Sequence, residues 1–177
     1  MNRSELEHII RAAAQIADDD DLIIIGSQAV LGQYPFAPEE LLVSNEADIF
    51  PRNKPELADL IDGTIGELSP FHTTFGYYAH GVEASTACLP DGWRDRLIAI
   101  RNGNTRWATG WCLEIHDLLI SKLVAGREKD FEFARISMSR KMADPERLLE
   151  RLQQTILPSE ALRPIVEGRI DRLLDER

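Results

Sequence analysis

At 177 residues the chain suits one domain carrying a helical appendage, and its 44% hydrophobic content is ordinary for a protein that buries a real core. The 20 basic and 30 acidic residues leave a net charge of −10, which argues against non-specific nucleic-acid binding while leaving room for a local basic site. No apolar run approaches the roughly 20 residues that span a bilayer, and the charged, amphipathic start is unlike a signal peptide. Cys88 and Cys112 lack CxxC spacing, which points to a reducing cytoplasm rather than a disulfide framework or a thiolate zinc site.

In chain order, Ser4 and Glu7 resemble a capping box, and Leu6, Ile9, Ile10, Ala13 and Ile16 follow helical spacing, so a helix is expected over 4–18. The acidic turn Asp18–Asp21 lacks the glycine and final glutamate of a calcium loop and separates helix from strand. Residues 22–25 read as a buried strand and 27–33 as a short helix. Pro35 and Pro38 interrupt the chain, and 46–50 form a second strand stopped by Pro51. Pro55 fits the first turn of a helix over about 55–67. Residues 69–75 are ambiguous, 77–84 and 85–89 look extended, and Pro90-Asp91-Gly92-Trp93 is a turn signal. The segments 97–101 and 105–109 flank Asn102-Gly103-Asn104 and predict a hairpin. Helices then follow at 113–126, with Gly126 as the stop, at 128–141, at 145–155 capped by Asp144, and at about 159–174. The pattern is α+β: a mixed sheet flanked by helices over 1–112, and a helical region over 113–177 packed on that core as one compact unit.

The chemistry concentrates where the apolar run Leu22–Ile25 ends in Gly26-Ser27 and the next strand carries Glu46-Ala47-Asp48. Residues i and i+2 of a strand share a face, so both carboxylates aim at one region, a donor pair for a hard divalent cation. Free backbone N–H groups and the Ser27 hydroxyl at the strand mouth suit a phosphate, although a Ser N-cap after a tight turn has the same composition. Farther on, Asp117-Leu-Leu-Ile-Ser-Lys122-Leu-Val-Ala-Gly-Arg127-Glu-Lys-Asp130 places Lys, Arg and Asp around a helix end. No GxSxG, HExxH or GxxxxGK[ST] occurs, which sets aside serine hydrolases, zinc proteases and Walker-type NTPases.

These two elements together resemble the nucleotidyltransferase fold, the superfamily that includes DNA polymerase β. More closely, they resemble bacterial nucleotidyltransferase-like proteins related to the toxins of abortive-infection toxin–antitoxin systems. The resemblance implies a minimal nucleotidyltransferase-like sheet and a Mg²⁺-dependent transfer of a nucleoside monophosphate from an NTP to an acceptor hydroxyl. It places Glu46 and Asp48 on the metal, with Glu83 as candidate third carboxylate, and Gly26 and Ser27 at the phosphates. Lys122 would neutralise triphosphate charge unless it merely snorkels beside the apolar stripe of its helix. Arg127 would clamp a phosphate, and Asp130 would pair with these cations or act as base. The acceptor would be an RNA end, a protein or a small molecule, and an antitoxin protein is an implied partner. The chain departs from the superfamily in its long Ser27-to-Glu46 interval and in Glu46 at the usual first Asp. That departure motivates an alternative, a degenerate nucleotidyltransferase that binds nucleotide or protein without catalysis. The four histidines lack metal-ligand spacing, and His116 reads as a helix-surface or satisfied core residue.

Overall fold

The computed structural model describes residues 1–175 and divides into two compact units. The first comprises Met1–Thr86 and Leu97–Leu113, and the second comprises Ala87–Arg96 and the chain from Glu114 onward. The α+β expectation holds: a five-stranded mixed sheet lies in the first unit and helices make up most of the second.

Helix α1 (Arg3–Ala17) opens on a capping box two residues upstream of the expected one. The Asn2 side chain accepts from Glu5 N–H (3.1 Å), and the Glu5 carboxylate accepts from Asn2 N–H (2.7 Å). Ser4 and Glu7 match the same pattern, but Glu7 is buried for another purpose. Its carboxylate accepts from Arg3 Nε (2.9 Å), Asn102 Nδ2 (2.8 Å) and Asn104 Nδ2 (2.9 Å), tying the helix to a loop nearly a hundred residues away. The apolar face of α1 supplies Leu6, Ile9, Ile10 and Ala13, all fully buried.

Burial alone would raise the Glu7 pKa, but the bonds from Asn104, Asn102 and Arg3 outweigh it and hold the group below its ordinary 4.5. A lowered folded pKa stabilises the native state above the unfolded value, and that stability is lost as pH falls through the folded one. Glu7→Gln should therefore cost about 1–2 kcal/mol at pH 7 and flatten the fall in melting temperature below pH 4.5. Melts across pH 3–7 that superimpose in shape for both proteins would contradict this role.

The sheet order is β3-β2-β1-β5-β4, with β1 at Asp21–Ile24, β2 at Glu46–Pro51, β3 at Tyr78–Gly81, β4 at Ile98–Ile100 and β5 at Thr109–Cys112. Strand β1 is central, antiparallel to β2 and parallel to β5, and Leu22, Ile23 and Ile24 are fully buried, as a run without polar alternation requires. Strand β3 pairs in parallel with β2, and β4 is antiparallel to β5. The 3₁₀ turn Ser27–Ala29 and helix α2 (Val30–Gln33) follow β1, while α3 (Ala58–Ile65) and α4 (Pro70–Phe75) lie between β2 and β3. The ambiguous stretch 69–75 is thus helical, capped by the Ser69 side chain on His72 N–H (3.1 Å).

Three extended segments differ from expectation. The strand over 77–84 shortens to β3, and 85–89 forms no strand, since Ala84–Thr86 is a 3₁₀ turn. The hairpin exists, but its second strand starts at Thr109 rather than Thr105. Thr105 is buried in the loop, donating to the Ala108 carbonyl (2.7 Å) and accepting from Asn102 N–H (3.1 Å). Arg106 and Trp107 then take left-handed φ angles of 50° and 67°, which extended chain cannot include. Trp107 is exposed.

In the second unit, α5 (Ile115–Ala125) is buried on nearly all sides and ends at Gly126 with φ 69°. Helices α6 (Glu128–Ser139), α7 (Pro145–Gln153) and α8 (Arg163–Asp175) pack around it. His116 is buried and satisfied: its Nδ1–H donates to Glu114 (2.7 Å), which leaves Nε2 to accept from Asp144 N–H (2.8 Å) at the start of α7. Asp117, also fully buried, receives a fork from Arg96 (2.9 and 3.0 Å) and pairs with Arg151 (3.2 Å), joining the 87–96 segment to α5 and α7. Burial pushes its carboxyl pKa up against the pull of Arg96. Among the described residues no helix is long and apolar enough to cross a membrane.

Candidate functional site

Strand β2 presents Glu46 and Asp48 on one face, and the parallel register sets each beside a polar partner on β3. Tyr78, opposite Glu46, donates its hydroxyl to Glu46 Oε2 (3.0 Å). His80, opposite Asp48, has Nδ1 2.9 Å from Asp48 Oδ1. Burial, and then the bond and charge of Glu46, push the Tyr78 phenol up to about 12, so it remains a donor throughout the neutral range. The two carboxylates are therefore oriented by a second strand. The sequence alone gives Tyr78 and His80 no site role, although their i, i+2 spacing in an extended 77–84 is a signal of a shared face.

Gly26 brings the phosphate-like turn to the same place. The Ile25 N–H donates to the Asp48 carbonyl (3.1 Å), and the Asp48 side chain lies directly against Gly26. A Cβ at position 26 would stand 1.9 Å from Asp48 Oδ2, so glycine is required here by space rather than by φ, which is −82°. Ser27 begins the 3₁₀ turn, and the adjacent buried Gln28 donates to the Ser44 carbonyl (3.0 Å), fastening the turn to the long segment before β2. The Met1 amino group holds the same segment through the Leu42 and Ser44 carbonyls (2.6 and 2.8 Å). Gly26, Ser27, Glu46 and Asp48 thus gather at one end of β1 and β2. Glu83 does not join them: its exposed carboxylate accepts from Ser85 (3.1 Å).

Among the described residues no group of three His, Cys, Asp or Glu side chains is arranged to hold a metal. Two carboxylates on one strand face offer the oxygen donors that a hard divalent cation takes together with waters and substrate phosphates. The donor chemistry is compatible with a hard divalent cation.

The residues singled out in the second unit form a cluster of their own. Asp130, fully buried, receives Lys122 Nζ (3.2 Å) and Arg127 Nε (2.5 Å). Burial would raise the Asp130 pKa, but the Arg127 bond and the Lys122 charge prevail and lower it. Burial lowers the pKa of Lys122, with Asp130 opposing, and its ammonium also stands over the Phe133 ring (4.4 Å). Lys122 does not snorkel to solvent; it is held inside by an opposite charge.

The family described as nucleotidyltransferase of unknown function (DUF6036) matches residues 4–163. The chain belongs to that family. No curated protein and no solved structure matched it. The match covers the Gly26-Ser27 turn, the β2 carboxylates and the Lys122–Arg127–Asp130 cluster, so both elements lie inside the family region.

Proposed function

We propose that this chain is a metal-dependent nucleotidyltransferase that moves a nucleoside monophosphate from an NTP to an acceptor hydroxyl. The observation that carries the proposal is the Asp48 carboxylate lying against Gly26 while sharing the β2 face with Glu46. In the reaction, the acceptor oxygen bonds to the α-phosphorus and gives its proton to water. The bond to the β-phosphate oxygen breaks, and pyrophosphate departs with the electron pair. A bound Mg²⁺, held by Glu46 and Asp48, would neutralise charge on the triphosphate oxygens. Tyr78 and His80 keep the two carboxylates oriented, and the Gly26-Ser27 turn offers donors to phosphate. The resemblance would give Lys122 and Arg127 a charge-neutralising role, whereas here both are committed to Asp130 within the second unit. Asp130, with its lowered pKa and two cationic partners, suits holding them better than taking a proton.

The acceptor class follows from charge only in outline: a net charge of −10 favours a small molecule or one RNA end over a long polyanion, and a protein side chain fits equally. A toxin role with an antitoxin partner rests on the resemblance, and a cytoplasmic location on two cysteines without CxxC spacing. The degenerate, binding-only alternative draws support from Tyr78, whose hydroxyl donates to Glu46 Oε2 and takes up one of its acceptor positions.

The test is transfer of label from α-phosphate-labelled NTPs, with Mg²⁺ and a cell extract as acceptor source, alongside pyrophosphate release. The wild-type chain should give both products, and Asp48→Ala should give neither while keeping its circular dichroism spectrum. Undiminished transfer by that variant would overturn the assignment. Nucleotide binding without products would favour the degenerate alternative.

A further inference from the structure

The second unit carries a groove of about 830 Å³ between the start of α6 and the face of α8. Five cationic side chains line it: Arg127, Lys129, Arg135, Arg169 and Arg172. Two carboxylates, Glu128 and Glu132, share it, and the buried Asp130 bonds Arg127, so five positive against three negative charges leave +2 in a chain whose total is −10. A cleft lined mostly by one sign of charge raises the local concentration of the opposite ion.

Several of these cations are already held in place. Arg169 donates to the Leu123 carbonyl, Arg172 stacks on Phe131 (4.6 Å), and Arg135 forms a fork with Glu132 (2.6 and 2.7 Å). Ordering them is therefore largely complete before a ligand arrives, which lowers the entropic cost of binding. Lys129 stands in the first turn of α6, where the helix dipole disfavours a cation and favours an anion. Guanidinium forks pair bidentately with phosphate oxygens, and the groove's volume accommodates several phosphates rather than one.

We infer that this groove is a binding site for a ligand carrying several phosphates in a row, either a free oligophosphate or the phosphodiester backbone of a single strand. The inference is independent of the β2 carboxylates, and it is tested with chelator present so that no metal-dependent nucleotide site contributes.

Fluorescence anisotropy with a short labelled single-stranded RNA, and competition by tripolyphosphate, would be measured on the whole chain. The exposed pair Lys129→Glu with Arg172→Glu is compared with Lys141→Glu with Arg147→Glu, an equal charge change on exposed positions outside the groove. The groove pair should weaken binding by about tenfold or more and flatten its salt dependence, with the control within about twofold of wild type. Should the groove pair melt early, the milder Lys129→Gln with Arg172→Gln replaces it. A strand affinity at least about tenfold above that of tripolyphosphate, read from the competition, assigns the groove to a phosphodiester backbone, and the reverse order assigns it to oligophosphate. Absence of saturable binding by either probe, or an equal loss in the control pair, overturns the inference.

Discussion

Asp130→Asn should lower the unfolding free energy by about 3–5 kcal/mol, the cost of leaving a buried charge without its partner. The substitution keeps the shape of the side chain but removes the charge that holds Lys122 inside, 3.2 Å away and only 9% exposed at its side chain. Arg127, 62% exposed, can return to water, so its share of the loss is small. Lys122 has no such exit without moving α5. A second substitution, Lys122→Met, should recover much of the stability, because a pair replaced by apolar groups of similar volume is often neutral. Urea unfolding of the wild type and the single and double variants measures all three quantities. A loss under about 1 kcal/mol for Asp130→Asn, or a double variant no more stable than the single, would show that the cluster is not what keeps Lys122 buried.

Gly26→Ala should remove nucleotide turnover by about a hundredfold or more while leaving the fold in place. The new Cβ would meet Asp48 Oδ2 at 1.9 Å, Cγ at 2.7 Å and Cβ at 3.0 Å. Something must move. The Asp48 side chain is 25% exposed, so it can swing aside without opening the sheet, and doing so breaks its contact with His80. The melting temperature should fall by only a few degrees, in contrast to Asp130→Asn. Circular dichroism melts and pyrophosphate release from the same preparation separate the two effects. Full turnover by Gly26→Ala would mean that the position of Asp48 against the turn is immaterial to the chemistry.

The parts of the fold that were readable in the sequence are those set by local chemistry. The buried run at β1, the Pro51 stop after β2, the Gly126 stop after α5 and the Asp144 cap of α7 all depend on neighbours within a few residues. The misplaced capping box and hairpin share another cause. Glu7 satisfies a local helix pattern but is committed to Asn102 and Asn104, and Thr105 to Ala108 belong to that loop rather than to a strand. A choice between two equally good local patterns is settled by partners far along the chain. The site follows the same division. Same-face placement of Glu46 and Asp48 follows from strand period alone, whereas Tyr78 and His80 become their partners only through the β2–β3 register. The Asp117 fork to Arg96 was equally hidden, since only the folded chain brings residues 96 and 117 together.

Thermal stabilisation by each NTP, with and without Mg²⁺, tests the central claim most directly, because a ligand bound to the native state raises its melting temperature. The account predicts a Mg²⁺-dependent rise with at least one NTP in the wild type, and its loss in both Asp48→Ala and Gly26→Ala. An equal rise in all three proteins, or none with any NTP, would contradict a nucleotide site built on the β2 carboxylates.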